Sequence, residues 1–477
     1  MRIKRQKAKT VTLGRWLFNI TLLLFAFSIP VIAQTERDLT EKNPPERNLD
    51  EGRRLLSEGN FIAAVAAFNR HKQTHPADGR AYFHAGLALV DAGRLSDAAL
   101  ELDEALRLDP QRSEYLILQA NLFARLKQRA HAEQALAILP KQGAIERLEA
   151  SWLWMLSDVY YRLERFNDAL RILDLLGQRN PDDPRLDLNR GQALFLNGEF
   201  DLARKSFEKS IVKHPGNPIT YFELGNLLYQ RSELPAAKSS LLKAVRLDKN
   251  NPAYLYKLGA ICLAMEEIDE ALRRLLRAVA LDPDGLQAYF ALGQAYQRKG
   301  KLQKSLEFRK KYQELSIAKR QKEAREEELN RLLARGEHLL DEGKDTEASA
   351  AFEQIIQTTP DNWTAHAYLA EMFLAAADWQ KAWPHLEKME ALDPDSVVGN
   401  YLMARHWYLR KEFERARIYA EKVKQSRPAH ADLRNLLGQI YLGLGQREMS
   451  LREFEEAVRL APGRADFRAN LSKAVIN

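Results

Sequence analysis

The chain of 477 residues contains a single cysteine, Cys262. One thiol excludes any disulfide bond within the chain and any zinc cluster built from cysteines. The sequence also lacks the phosphate-binding loop, the His-Glu-x-x-His helix and the nucleophile elbow that identify common classes of enzyme. Its 45% hydrophobic and 29% charged residues nevertheless exclude a mainly disordered chain.

Acidic residues are missing from the first 33 positions, which carry six of the 72 Lys and Arg. An apolar run, 16–33, follows the basic segment and ends in Val-Ile-Ala, which predicts a signal peptide cleaved after Ala33. The alternative is an N-terminal anchor, in which 16–33 stays uncleaved in the membrane. Residues 34–44 are polar and predict a flexible tether. We therefore expect an exported protein that is periplasmic or secreted, or else anchored in the membrane.

The remainder of the chain is almost neutral in charge. Without residues 1–33 it holds 66 basic and 65 acidic residues, a net charge of +1. The sequence pI of about 9.1 therefore belongs to the leader. Because binding to nucleic acid requires a basic face, this balance argues against a nucleic-acid partner.

Small residues recur with a period of 34. Glycine occupies the first small position in eight units, and alanine or serine replaces it in four; these eight glycines are Gly52, Gly86, Gly191, Gly225, Gly259, Gly293, Gly336 and Gly438. Twelve residues later stands another small residue, which is alanine in ten units and serine in two. The spacing predicts two short helices per unit that pack closely at these positions. Asn-Pro or Asp-Pro at 183–184, 217–218 and 251–252 predicts where new helices begin.

The best units resemble the tetratricopeptide repeat (TPR) family. Phe-Glu-Leu-Gly-Asn-Leu-Leu-Tyr at 222–229 and Ala-Leu-Gly-Gln-Ala-Tyr at 291–296 are similar to the first helix of that repeat, and 269–283 is similar to the second. The resemblance implies an all-α, right-handed α-solenoid of helix-turn-helix repeats, in two arrays joined by a long helix. The expected parts are eight repeats at 45–319, a bridging-helix insertion at 320–328, four repeats at 329–464 and a capping helix at 465–477.

Twelve repeats leave no segment long enough for a catalytic domain, so we expect no enzyme, no catalytic residue, no cofactor, no metal and no small-molecule substrate. His71 and His75 share a helical face but have no third ligand nearby. His131, His366 and His385 are isolated in the sequence, and Cys262 falls at a core position. The competing hypothesis is an enzyme hidden in the degenerate third repeat and the loop at 140–149.

The TPR resemblance places the second, fifth, ninth and twelfth positions of each unit on a concave face. Amides and aromatics at these positions are Asn121, Trp154, Tyr161, Gln192, Phe195, Phe222, Asn226, Tyr229, Tyr256, Phe290, Gln294, Tyr401, Tyr408 and Gln439. Such a row is suited to a peptide, whose backbone pairs with amides and whose side chains pack on rings.

We therefore expect a protein–protein interaction scaffold with a protein or peptide partner. The candidate groove lies in repeats five to eight and consists of Gln192, Phe195, Phe222, Asn226, Tyr229, Tyr256, Phe290, Gln294 and, at its edge, Arg298. The alternative function is a structural subunit of an envelope or secretion assembly, held by an uncleaved leader. A membrane takes part only in that alternative.

Overall fold

The computed structural model describes residues 44–139 and 145–476, and these two ranges contain helices and no strands. The predicted leader, and the predicted tether up to residue 43, lie outside the described residues. The α-helices are α1 Pro44–Ser57, α2 Phe61–Thr74, α3 Gly79–Asp91, α4 Leu95–Leu108, α5 Ser113–Arg125, α6 Arg129–Ile138, α7 Ala150–Arg162, α8 Phe166–Arg179, α9 Leu186–Leu196, α10 Phe200–Lys213, α11 Pro218–Gln230, α12 Leu234–Leu247, α13 Pro252–Ala264, α14 Ile268–Leu281, α15 Leu286–Arg298, α16 Leu302–Asp341, α17 Asp345–Thr358, α18 Trp363–Ala375, α19 Trp379–Leu392, α20 Val397–Leu409, α21 Phe413–Ser426, α22 Ala431–Gly443, α23 Arg447–Leu460 and α24 Ala465–Ile476. None of the described helices is long and apolar enough to cross a membrane.

The small residues of the repeat lie where the two helices of each unit touch. All twelve small residues of the second helices are at most 1% exposed. An added Cβ at Gly259 would lie 2.7 Å from Leu275 Cγ and 3.3 Å from the carbonyl oxygen of Ala271, so no side chain fits there. Where serine replaces alanine, its hydroxyl donates to the backbone of the facing glycine; Ser305 Oγ lies 2.7 Å from the carbonyl oxygen of Gly293. The predicted register is confirmed.

Side-chain caps set the starts of several first helices. Asn217 Oδ1 accepts a hydrogen bond from the backbone N–H of Ile219, and Asn251 Oδ1 accepts one from Ala253. The prediction of a helix start at 183–184 was wrong by two residues, since α9 begins at Leu186. The reason is local: the Asp183 carboxylate binds both the backbone N–H and the guanidinium of Arg185, which holds this segment in a turn.

Each turn between the two helices of a repeat contains a residue in the left-handed backbone region. Six of these are glycines with φ of 71–85°; they are Gly59, Gly93, Gly198, Gly300, Gly343 and Gly445. The other six carry side chains and have φ of 58–64°; they are Lys127, Glu164, Ser232, Glu266, Ala377 and Lys411. The turn geometry is thus constant although only half of the turns use the residue that adopts it most easily.

The described chain forms two compact units, with a boundary inside α16. Unit 1 contains 127–129 and 145–323, and unit 2 contains 44–126, 130–139 and 324–476. The insertion at 320–328 is helical and exposed throughout, as expected for the middle of a polar helix. The grouping differs from the expected eight-plus-four division, because repeats 1 and 2 pack against the C-terminal repeats, with α2 contacting α21.

The C-terminal helix α24 packs on α23 and α22, the two helices of the last repeat. Its buried residues are Phe467 and Ala474. The next side chain, Val475, is exposed.

Candidate functional site

The nine predicted groove residues lie in unit 1, on the first helices of repeats five to eight, but they are not equally accessible. Phe290 is 46% exposed. Phe195, Asn226, Tyr229, Tyr256 and Gln294 are half-buried. Gln192 and Phe222 are buried. For Phe222 the reason is packing between neighbouring repeats, since its ring centroid lies 4.9 Å from that of Tyr254.

A buried carboxyl group, Glu223, organises the floor of this groove. Gln192 Nε2 donates to Glu223 Oε1 at 3.1 Å, and Asn226 Nδ2 donates to Glu223 Oε2 at 3.4 Å. Burial raises the pKa of Glu223, and the two amide donors oppose that shift. Two of the amides predicted to bind a peptide backbone are therefore engaged inside the protein. Gln192 ties repeat five to repeat six, and Asn226 bonds within its own helix.

Lys257 is the counterpart of Glu223 in the next repeat, 34 positions along. Its Nζ lies 4.8 Å from the centroid of the Tyr229 ring, a cation–π distance. Burial lowers the pKa of Lys257 to about 8, and the nearby charge of Glu223 opposes that shift. Burial also raises the pKa of Tyr256 to about 12. The groove thus has a buried polar floor beneath partly exposed rings.

The sequence analysis missed Glu223 and Lys257 because both occupy the sixth position of their repeats. Only the second, fifth, ninth and twelfth positions were assigned to the concave face. A usable signal was present, since an acid and a base at one register position interrupt otherwise apolar first helices.

The two residues at the end of the predicted groove differ in role. Arg298 Nη1 donates to the carbonyl oxygen of Leu263 at 2.7 Å and to Glu266 Oε1 at 2.8 Å, so its guanidinium ties repeat eight to the turn of repeat seven. Phe290 packs one edge against Tyr312 of α16, with ring centroids 5.2 Å apart. Its remaining surface makes it the most accessible predicted aromatic of the groove.

Unit 2 contains a second groove, formed by α18, α20 and α22. It encloses a cavity of about 550 Å³ whose lining includes Glu371, Tyr401, Arg405, Tyr408, Asp432 and Gln439. Arg405 Nη1 lies 3.8 Å from Glu371 Oε1, which is an ion pair across neighbouring repeats. Tyr401, Tyr408 and Gln439 were predicted to face a concave surface. This groove carries charges on its floor, whereas the exposed part of the groove in unit 1 is mainly aromatic.

Two pairs of histidines come together in unit 2. The rings of His71 and His75 stack 4.8 Å apart, and His71 Nε2 lies 3.0 Å from Asp78 Oδ2. His366 and His385 are isolated in the sequence but adjacent in the fold, with their Nδ1 atoms 2.9 Å apart. Over the described ranges, no group of three or more His, Cys, Asp or Glu side chains is arranged to hold a metal ion.

Cys262 is fully buried, as predicted for a core position. Burial raises the pKa of its thiol to about 11. A thiol with this environment stays protonated at neutral pH and is a poor nucleophile.

Family comparisons agree with the repeat geometry. Profiles described as "Tetratricopeptide repeat" match 49–113, 154–218, 286–316, 333–397 and 431–464, and one described as "TPR repeat" matches 259–300. The chain belongs to the tetratricopeptide repeat family. It is an all-α solenoid protein of TPR helix-turn-helix repeats.

Solved structures similar to parts of this TPR protein include those of three different proteins. MamA from Desulfovibrio magneticus RS-1 is 23% identical with a TM-score of 0.34, over 37% of this chain and 97% of that one. PilF from Pseudomonas aeruginosa is 22% identical with a TM-score of 0.38, over 46% and 97%. YrrB, described as a TPR protein with an unusual peptide-binding site, is 21% identical with a TM-score of 0.32, over 36% and 90%. No curated protein matches the chain in sequence.

Proposed function

We propose that this TPR protein is an exported, non-enzymatic scaffold that binds a peptide or a partner helix in the concave groove of repeats five to eight. The observation that supports this proposal is a row of partly exposed rings on consecutive first helices, formed by Phe195, Tyr229, Tyr256 and Phe290. Aromatic side chains supply large contact area and dominate many recognition surfaces. TPR repeats are protein-interaction modules, and this row gives the module a specific contact surface.

The buried floor of the groove supports recognition through rings. The Glu223 carboxyl group occupies the amides of Gln192 and Asn226, so these amides hold the floor in place. A preorganised surface loses little conformational entropy when it binds, and this favours affinity. The partner therefore contributes apolar side chains to the row, from an extended segment or from one face of a helix.

Export is the second part of the proposal. It rests on the basic, acid-free segment before the apolar run and on the Val-Ile-Ala sequence at 31–33. Placement in the periplasm or outside the cell follows from cleavage after Ala33, whereas retention of 16–33 would anchor the scaffold in the membrane.

The experiment is a titration of a partner captured from envelope extract and then identified and purified. Phe290→Ala removes the most exposed ring and is expected to weaken binding by about tenfold, since loss of an aromatic contact costs roughly 1–2 kcal/mol. Val212→Ala is the matched control, because Val212 is an exposed apolar residue of unit 1 on the second helix α10. Its affinity should equal that of the unchanged protein.

A second pair of variants tests the location of the site. Glu337→Ala/Glu371→Ala alters first-helix positions in unit 2 and should leave the affinity unchanged. If this pair weakens binding as much as Phe290→Ala does, the site lies in the groove of unit 2. Retention of a stoichiometric small molecule or metal by the purified protein would contradict the non-enzymatic part of the proposal.

A further inference from the structure

Within unit 2, the first two repeats contact repeats that lie some 300 residues further along the chain. One face of the contact consists of α2, Arg94 and α4, and the other consists of α21 and the loops that follow α19 and α21. Gln73 Nε2 donates to the carbonyl oxygen of Gln425 at 3.3 Å, and Arg94 Nη2 donates to that of Asp395 at 3.4 Å. In the opposite direction, Arg427 Nη2 donates to the carbonyl oxygen of Leu100 at 3.2 Å. We call these hydrogen-bonded residues, together with Asp393, the clasp.

The charges of the clasp are complementary in both directions. Arg94 on the first face lies 3.6 Å from Asp393 Oδ2 on the second. Arg427 on the second face lies near the acidic face of α4, where its charge opposes the rise that burial causes in the pKa of Asp103. An arginine from each face thus approaches acids and a carbonyl oxygen of the other face. Such crossed complementarity fixes the register of two surfaces.

The contact covers part of repeat two, as a comparison of ion pairs at equivalent positions of two repeats shows. Arg94–Asp97 and Arg165–Asp168 occupy the same positions of repeats two and four. The Asp97 side chain is 8% exposed, whereas the Asp168 side chain is 30% exposed. The difference places Asp97 at a covered surface, although second-helix positions of this kind face solvent elsewhere in the chain.

We propose that repeats 1 and 2 are an intramolecular docking module whose partner is the loop edge of repeats 10 and 11 of the same chain. The clasp is polar and consists of one ion pair and a few hydrogen bonds from partly exposed side chains to backbone carbonyl oxygens, so ionic strength should control its opening. Arg427 precedes His430 by three residues, and His430 lines the cavity in the groove of unit 2. The clasp therefore adjoins the wall of that groove. This inference does not depend on the proposed function.

The test measures the distance between spin labels introduced at Arg70 on α2 and Lys422 on α21, both exposed, by pulsed electron paramagnetic resonance on the purified full chain. Because the native Cys262 is fully buried, the spin-label reagent should react with the two introduced positions and not with this thiol. At low salt we expect one short, narrow distance distribution. The variant Arg94→Glu/Arg427→Glu should lengthen and broaden this distribution. The variant Arg94→Glu/Asp393→Arg, which exchanges the two charges of that ion pair, should keep it short and narrow.

The matched control is Arg54→Glu/Arg459→Glu, which makes the same change in charge at arginines whose partners, Glu58 and Glu456, lie three or four positions away in the chain. This variant should keep the short distance. A long distance in the unchanged protein, or a short one that survives charge reversal at the clasp, would overturn the proposal. So would a short distance between singly labelled chains, because it would show docking between copies.

A salt titration of the unchanged protein covers the case in which the charge-reversal variant does not fold. Raising NaCl to about 1 M shortens the screening length to about 3 Å and should lengthen the measured distance. Circular dichroism at the same salt concentrations should show unchanged helix content. A distance that stays short at every salt concentration contradicts an ionic clasp.

Discussion

Replacing Gly259 with alanine adds a methyl group at the point where α13 and α14 are closest. The new Cβ would lie 2.7 Å from Leu275 Cγ, 2.9 Å from Leu275 Cδ2 and 3.3 Å from the carbonyl oxygen of Ala271. Leu275 is fully buried and branched at the contacting atom, so it has no free space to enter. Alanine favours the helix by about 0.5–1 kcal/mol, but overpacking costs about 1–3 kcal/mol. We expect a net loss of about 1 kcal/mol.

Gly293→Ala is the matched control for this prediction. At Gly293 the nearest atom is Arg309 Cγ at 2.9 Å, and the next is the carbonyl oxygen of Ser305 at 3.6 Å. Arg309 is exposed and can change rotamer, so the helix preference of alanine should prevail and stabilise the protein by about 0.5–1 kcal/mol. Urea denaturation followed by circular dichroism should separate the two variants by about 2 kcal/mol. Equal stabilities would refute the close approach of the helices at Gly259.

Three further predictions concern the register, the groove floor and the leader. Ala271→Leu should cost about 1–3 kcal/mol through overpacking, whereas Ala271→Ser should cost less than about 1 kcal/mol because its hydroxyl can donate to the facing glycine carbonyl, as Ser305 does; equal thermal melts would contradict this. Since burial lowers the Lys257 pKa from 10.5 to about 8, the unfolded chain binds more protons than the folded one between these values, and stability rises with pH across that window. Lys257→Met should remove that rise and stabilise the protein at pH 7 by about 1–3 kcal/mol. Denaturation of the variant at pH 7 and pH 10 measures the rise, and a free energy of unfolding that still increases with pH would contradict the prediction. Mass spectrometry of the native protein should find an N-terminus at Gln34, whereas an intact chain in the membrane fraction would favour the anchor.

Much of the fold was predictable because the period of 34 records local contacts. Small residues mark helix contacts, and Asn217 and Asn251 mark helix starts through hydrogen bonds to residues two positions away. The start of α9 was not predictable from Asp-Pro alone, since it depends on the pairing of Asp183 with Arg185. The left-handed backbone in the six turns without glycine was not predictable either, because the residue types at those positions do not indicate that conformation.

The candidate groove was predicted at the level of the helix face and not at the level of each side chain. Whether Gln192 is available to a partner depends on Glu223, which comes from the neighbouring repeat. The contact of repeats 1 and 2 with the C-terminal repeats could not be predicted from the sequence for a similar reason. A contact such as that between Arg94 and Asp395, 301 residues apart, leaves no periodic pattern in the sequence.

The mixture of turn residues has a consequence for how stability is distributed among the repeats. Glycine serves the turns of repeats 1, 2, 5, 8, 9 and 12, and residues with side chains serve the pairs of repeats 3–4, 6–7 and 10–11. A side chain in the left-handed region costs roughly 1 kcal/mol, and in repeat proteins local stability is mainly a sum over units and their neighbours. Local stability is therefore unevenly distributed along the chain, with three adjoining pairs of strained hairpins between unstrained ones. We expect these internal pairs to open first on heating, and a glycine placed in each of their turns to relieve that strain.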